Sequence, residues 1–368
     1  MESVRITMVI SSLLAGGAGK VMSTMANYWA CANREVTLLV FDHGNEPPFY
    51  RIDGSVHHVC LGLTERSKTL LAGLLNNLKR VAVLRKSILR SHPDIIISFV
   101  DQTNITTLLA MAGSGIPVIV SERIDPSQHN ISKKWSVLRL ISYRFAAGIV
   151  LQTKNAAKCF PKYLHSTISI IPNPVRVEAP QVIPERKDTE ERVVMSLGRL
   201  VPQKGFDLLV KAFYQVHEDY PGWKLVIFGE GPSRRELMQT AEQLGLSEKI
   251  AFPGTTKDPF LALSQSDLFV LSSRYEGFPN ALLEAMAFGL PVISYDCPSG
   301  PKDIIRQGVD GLLVPAGDVN ALAGAMDRLM SDESERKRLG TQAKNVIHRF
   351  SLNRIMGLWD SLISDLVT

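Results

Sequence analysis

The chain lacks any apolar run approaching the roughly 20 uncharged residues that a membrane-crossing helix needs, so the sequence excludes a spanning helix. Cysteine is scarce. Cys31, Cys60, Cys159 and Cys297 are widely scattered and form no CxxC pair, which argues against a zinc knuckle or a disulfide framework and fits a reducing cytoplasm. There is no Asp-x-Asp to chelate a metal and no GxGxxG to support dinucleotide binding. Internal repeats and low-complexity tracts are absent, and nothing suggests a nucleic-acid partner. The opening MESVRITMVISSLLAGGAGK begins with an acid and soon breaks at small polar residues and glycines. It reads as a first strand and turn rather than a cleaved leader.

Acidic charge is scarce in one half only. Residues 1–180 hold 20 Lys and Arg against 11 Asp and Glu, whereas the remainder holds 21 against 25, so the net charge of +5 conceals a basic first half. Much of the excess lies between Arg66 and Arg90, where Leu70, Leu71, Leu74, Leu75, Leu78, Val81, Leu84 and Ile88 recur at helical spacing among Arg66, Lys68, Lys79, Arg80, Arg85, Lys86 and Arg90. That segment is either a basic amphipathic surface for an anionic membrane or a core helix with a solvated basic side.

What is present in abundance is apolar sequence, 45% of 368 residues, enough for two cores. Short runs alternate with helical stretches: RITMVIS, EVTLLVF, DIIISF, PVIVS and GIVLQT, then RVVMSLG, KLVIFG, DLFVLSS and PVISYD. Continuous apolar strands bracketed by helices predict parallel sheets covered on both faces, an α/β protein of two doubly wound domains. The segment from Pro172 to Arg192 is rich in proline and charge and reads as the linker. The expected division is 1–174, 175–350, and a final amphipathic helix over 351–368, apolar at Ile355, Leu358, Trp359 and Leu362 and packing back on the first domain. Ligands in such sheets sit at the carboxyl ends of the strands, here expected in a cleft between domains.

Three motifs carry candidate chemistry. The first strand runs into LLAGGAGKVMSTMANYW, a turn at Gly16 and Gly17 feeding a helix, whose backbone N–H groups and dipole suit a phosphate or the reacting end of a substrate. It is not a nucleotide-triphosphate loop, since Val21 follows Lys20 where Ser or Thr belongs and Leu14 replaces the first glycine; a structural turn is the alternative. After the linker, SLGRLVPQKGFDLLVKAF places Arg199 and Lys204 in a loop behind a strand, two cations suited to a diphosphate, or simply two exposed loop cations. Finally, SRYEGFPNALLEAMAFGLPVISYD sets Glu276 and Glu284 at the ends of a glycine turn and a short helix from Pro279 to Phe288. Either both acids face one ligand, or Glu276 caps the helix and Glu284 is solvated.

Together, GGAGK, GRLVPQKGFD, VIFGEGPSRREL, FPGTTKD, EGFPNALLE, GLPVIS and DCPSGPKDIIRQGVDGLLVPAGD closely resemble glycosyltransferase family 4, retaining enzymes of GT-B architecture, over nearly the whole chain. The resemblance is greatest to bacterial enzymes that extend surface polysaccharides or lipid-linked oligosaccharides. It implies two Rossmann-like domains facing across a cleft, the first binding acceptor and the second the nucleotide sugar. By it, Glu276 contacts the donor sugar and Glu284 the ribose. Gly16, Gly17, Thr255, Gly277, Phe278, Pro279, Asn280 and Ala281 approach the donor, and Arg199 and Lys204 hold the diphosphate. No metal or cofactor is implied. Where such enzymes often carry a first-domain His, this chain reads VIVSERIDPSQHN, leaving Glu122, Arg123 or His129 for that role, with a surface salt bridge between Glu122 and Arg123 as the alternative.

The implied reaction moves a hexose or N-acetylhexosamine from a nucleotide sugar, with UDP the expected nucleotide, to a lipid-linked glycan. It would take place on the cytoplasmic side of the plasma membrane, with the protein docked on anionic lipid. A GDP-mannose-dependent mannosyltransferase and a non-catalytic nucleotide-sugar-binding subunit are the alternatives.

Overall fold

The structure is a computed structural model that describes residues 4–64, 70–128, 131–175, 191–256 and 258–367. The chain divides into two compact units, residues 1–173 with 353–368, and residues 174–352.

The first unit holds seven parallel strands: β1 (Ile6–Ile10), β2 (Val36–Val40), β3 (His57–Cys60), β4 (Ile95–Phe99), β5 (Val118–Ser121), β6 (Gly148–Leu151) and β7 (Ile168–Ile170). Their order across the sheet is β3-β2-β1-β4-β5-β6-β7. Between them run α1 (Gly17–Cys31), α2 (Leu70–Arg90), α3 (Asp101–Met111), α4 (Lys133–Ser142) and the short α5 (Lys154–Ala157). Every residue of β1, β4, β5 and β6 is buried, as expected when crossover helices cover both faces of a parallel sheet.

The second unit repeats the plan with six parallel strands in the order β10-β9-β8-β11-β12-β13. These are β8 (Arg192–Leu197), β9 (Trp223–Phe228), β10 (Ile250–Gly254), β11 (Leu268–Leu271), β12 (Val292–Asp296) and β13 (Leu312–Pro315). Its helices are α6 (Phe206–Val216), α7 (Arg234–Gln243), α8 (Pro259–Ser264), α9 (Asn280–Phe288), α10 (Pro301–Ile304), α11 (Val319–Ser331), α12 (Glu333–Ala343) and α13 (Val346–Phe350). The last helix, α14 (Leu352–Val367), joins the first unit's core. There Ile355, Met356, Trp359 and Ile363 are buried, and Asp360 accepts from Trp29 Nε1 at 2.8 Å and pairs with Arg34 at 2.9 Å. Leu358, expected on the apolar face, is 43% exposed, because the buried row falls one position further round the helix.

The nine runs read as strands are the nine interior strands. Missed were β3, β7, β10 and β13, the edges of both sheets, whose residues are partly exposed and so lack a continuous apolar signal. Most of the expected linker lies outside the described residues. Its start is not loose, since Asn173 is buried and Val175 pairs with Ser351, and Arg192 already belongs to β8. Among the described side chains of α2 only Leu84 and Ile88 are fully buried, whereas Leu75 and Leu78 are exposed; Arg66, Lys68 and the side chains of Leu70, Leu71 and Leu74 lie outside the described residues.

In each sheet the strand order reverses once, between β1 and β4 and between β8 and β11. In sheets of this kind the carboxyl ends of the strands at such a reversal are where ligands bind.

Candidate active site

In the second unit, the loop after β8 and the loop after β11 meet at that reversal. Gly205 sits at φ +62°, and a Cβ there would stand 2.0 Å from the Ser272 carbonyl oxygen, so only glycine lets the two backbones touch. The contact is stitched by Ser272 Oγ donating to Lys204 O (2.9 Å), Arg274 N to Gln203 O (2.8 Å), and Gln203 Nε2 to Tyr275 O (3.0 Å). Arg274 adds a two-pronged bridge to Asp207 at 2.7 and 2.8 Å. The loops thus clamped, Lys204 Nζ reaches Glu276 Oε1 at 2.6 Å, and Ser273 Oγ donates to the same oxygen at 2.6 Å. Glu276 is buried and Lys204 half-buried, its stem lying over Gly198. Arg199, one residue on from Gly198, is exposed, and its side chain has no hydrogen bond or ion pair among the described residues.

Glu276 leads into α9. Pro279 sits at the helix's threshold and offers no side-chain cap, and Gly289 at φ +97° ends it; the positive end of the dipole favours an anion. Gly277 and Phe278 are buried, while Asn280 and Ala281 are half-exposed. Glu284 lies one turn past Asn280 and is buried, and Glu276 caps nothing. The reading in which one acid caps the helix and the other is solvated therefore falls. The segment after β12 backs the loop: Ser299 Oγ approaches Gly277 O at 3.5 Å, and Cys297 sits buried near Glu276. Burial first, and then the Glu276 charge, pushes the Cys297 thiol up to about 12. Thr255 is exposed just past β10.

In the first unit, Gly16 and Gly17 open α1 as expected. Glu122 and Arg123 follow β5, but they do not pair with each other, because neighbours in extended chain point to opposite sides. Glu122 is buried, accepting from the Tyr143 hydroxyl at 2.7 Å with Arg139 at 3.6 Å. Burial and the Glu122 charge hold the Tyr143 hydroxyl well above the usual phenol range. Arg123 donates to Asn173 Oδ1 at 2.8 Å and stacks 3.5 Å over Phe99, with Trp359 at 5.9 Å. Its Nε and Nη2 are buried without hydrogen-bond partners, and burial pushes its pKa down to about 9. Beside it Val100 takes φ +74°, rare for a β-branched residue. His129 lies outside the described residues. Among the described residues no three His, Cys, Asp or Glu side chains converge to hold a metal.

Residues 180–346 match the family Glycosyl transferases group 1. Across 98% of each chain the sequence is 29% identical to the GalNAc-alpha-(1->4)-GalNAc-alpha-(1->3)-diNAcBac-PP-undecaprenol alpha-1,4-N-acetyl-D-galactosaminyltransferase of Campylobacter jejuni. The fold matches Anabaena HepE in complex with UDP and glucose (TM-score 0.80, 19% identity, 98% of this chain and 99% of that one). It also matches S. aureus TarM in complex with UDP (TM-score 0.79, 16% identity, 98% and 99%). The chain has the fold of these GT-B proteins, and the match to glycosyl transferases group 1 lies over its second unit.

Of the residues expected to form the site, the structure gathers Lys204, Glu276 and the opening of α9 with Arg199 close by in sequence, all in the second unit. Sequence reasoning missed Ser273, Gln203, the Arg274–Asp207 bridge and Gly300, at φ +98° with room for no Cβ beside Pro279. Ser273 and Arg274 flank the EGF turn, and Gln203 precedes Lys204, so adjacency to the motif was the only available signal.

Proposed function

We propose that the protein is a retaining family 4 glycosyltransferase. It transfers a hexose or N-acetylhexosamine from a UDP-sugar to a lipid-linked glycan and needs no metal ion. The observation that carries this reading is the clamped pair of Lys204 and Glu276 at 2.6 Å, beside the opening of α9 and with the exposed Arg199 on the same loop as Lys204. As the glycosidic bond breaks, charge builds on the departing diphosphate. Lys204, held by Glu276, and the first-turn N–H groups of α9 are fixed before that charge appears, so they stabilise it more than they stabilise bound donor, and the exposed Arg199 adds a second cation. Glu276, oriented by Ser273 and Lys204, accepts hydrogen bonds from sugar hydroxyls, and Glu284 from the ribose. The carrier-linked glycan in the name of the Campylobacter relative and the UDP bound by the HepE and TarM structures support the acceptor and donor classes.

The test is donor hydrolysis and transfer across UDP- and GDP-sugars in EDTA, with the product anomer read by NMR. Turnover of a UDP-sugar with retained configuration is expected. Turnover of GDP-mannose alone, dependence on added Mg²⁺ or Mn²⁺, or nucleotide binding without release would each overturn the corresponding part.

A further inference from the structure

Helix α9, whose first-turn N–H groups serve the proposed reaction, is nine residues long, and a helix that short is held by what it packs against. One continuous stretch of chain, from α12 to the end of α13, supports it at both ends. At the carboxyl end, α12 comes so close that a Cβ on Gly340 would overlap the Gly289 carbonyl oxygen, and the Lys344 stem lies over Gly289. Backbone rests on backbone there, with no side chain between to yield. At the amino end, Phe278 of the turn after Glu276 meets Phe350 of α13 edge to face, ring centres 5.4 Å apart and planes at 68°, both rings buried.

Phe350 is itself fixed. Its carbonyl oxygen accepts from Val175 N at 2.8 Å, Val175 pairs with Ser351, and the Arg349 guanidinium lies 5.1 Å from the Phe350 ring centre. Arg349 also donates to Ile304 O and lies 3.5 Å from Asp310, a fully buried acid that pairs with Arg306 at 2.7 Å. Ile304 closes α10, and α10 opens directly behind Gly300, where a Cβ would stand 2.7 Å from Pro279 Cδ and 3.0 Å from Gly277 O. The short helix α13 thus reaches the turn twice: directly through Phe350, and through Arg349 and α10.

The timing of charge says what such support is for. A loose turn can settle around bound donor, whose charges are already present. Charge that appears only as the bond breaks is stabilised best by N–H groups already aimed at it, and a misplacement of about 1 Å costs up to about a hundredfold in rate. We propose that Phe350 is a positioning residue: through Phe278 it holds the first turn of α9 in the geometry that the departing diphosphate requires. The inference rests on the diphosphate chemistry of the proposed function.

The experiment compares Phe350→Ala and Phe350→Leu with Val216→Ala, which thins the second unit's core at the last residue of α6, the end remote from Lys204. Hydrolysis of UDP-glucose and UDP-N-acetylgalactosamine is measured well below each melting temperature, with UDP binding by calorimetry and amide hydrogen exchange of the nucleotide-free full chain. Phe350→Ala is expected to lower kcat at least about tenfold while KM and the Kd for UDP stay within about threefold, and to speed exchange across residues 276–283. Phe350→Leu, which keeps an apolar contact, should recover most of kcat. Val216→Ala should lower the melting temperature and leave both kcat and exchange in α9 unchanged. The proposal is overturned by native kcat in Phe350→Ala, by an equal loss of kcat in Val216→Ala, or by unaltered exchange at residues 276–283. Should Phe350→Ala not fold, Phe350→Val takes its place under the same criteria. If the native protein hydrolyses neither UDP-sugar, the proposed donor class falls, and exchange alone decides whether Phe350 holds the turn.

Discussion

The carboxyl edge of the first sheet and that of the second have the same topology and treat their cations in opposite ways. After β8 and β11, glycine-tight loops hold Lys204 against Glu276 at 2.6 Å and leave Arg199 exposed, so the charges are oriented yet within reach of a ligand. After β4 and β5, Asp101, Glu122, Arg123 and Asp125 are all buried, and Arg123 is sealed against Phe99 and Trp359. Acids are buried at both edges, Glu276 and Glu284 as much as Glu122; the difference lies in the cations, which the second unit's loops present and the first unit's bury.

The sharpest way to break this contrast is at the second unit's cations. Lys204→Ala and Arg199→Ala are each expected to lower turnover of a UDP-sugar about a hundredfold, a loss of about 3 kcal/mol of transition-state stabilisation, with melting temperature nearly unchanged in Arg199→Ala and lowered in Lys204→Ala, which leaves the buried Glu276 without its cation. Near-native rates in both would remove the diphosphate role. The mirror experiment is Arg123→Ala. Loss of a desolvated cation–π stack and of the bond to Asn173 should cost about 2–3 kcal/mol of unfolding free energy in a urea titration, while the folded fraction keeps near-native turnover. Collapse of turnover with stability intact would place Arg123 in the chemistry and make the two edges alike.

Within the first unit, α2 offers a smaller contrast. Arg85 donates to Ala110 O at 2.6 Å and Ala112 O at 3.1 Å, and Arg80 to Leu63 O at 2.8 Å, so two of the cations read as membrane-facing are tied inward. Arg85→Ala is expected to cost about 1–2 kcal/mol and Lys86→Ala under about 0.5 kcal/mol, measured by the same titration. Equal costs would mean that Arg85's bonds do not hold in solution.

The smallest expected effect is alkaline. The Cys297 thiol, raised from 9.0 to about 12 in the fold, ionises later than in the unfolded chain. The unfolded state therefore sheds its proton first, and the stability held at neutral pH is lost as pH climbs from about 9 toward about 12. Cys297→Ala should flatten the decline of unfolding free energy over pH 9–11 by no more than about 1.4 kcal/mol per pH unit. An unchanged slope would mean that Glu276 and burial do not act on that thiol.

Local pattern alone located the nine interior strands, because a strand covered on both faces must be apolar at every position, and VVMSLG or DIIISF can be little else. The same logic hid the four edge strands: HHVC at β3 and IAFPG at β10 are half-solvated and carry no comparable run. Helix faces were misjudged for a related reason. Period 3.6 states that α2 and α14 have an apolar stripe but does not say which of several adjacent leucines the core accepts, and Leu75, Leu78 and Leu358 turned outward.

By itself, then, the sequence determined the parallel α/β class, two cores, the glycine-hinged turns behind β1 and β8, the helix from Asn280 and the resemblance to GT-B enzymes, since each is written in contiguous residues. Only the tertiary structure decided which charges meet. Lys204 and Glu276 stand 72 positions apart and touch because β8 and β11 are neighbours across the reversal of strand order. Glu122 and Arg123 are adjacent in the chain, yet extended backbone sends them to different partners. Residue spacing encodes faces and turns; contact between distant strand ends exists only once the sheet has formed.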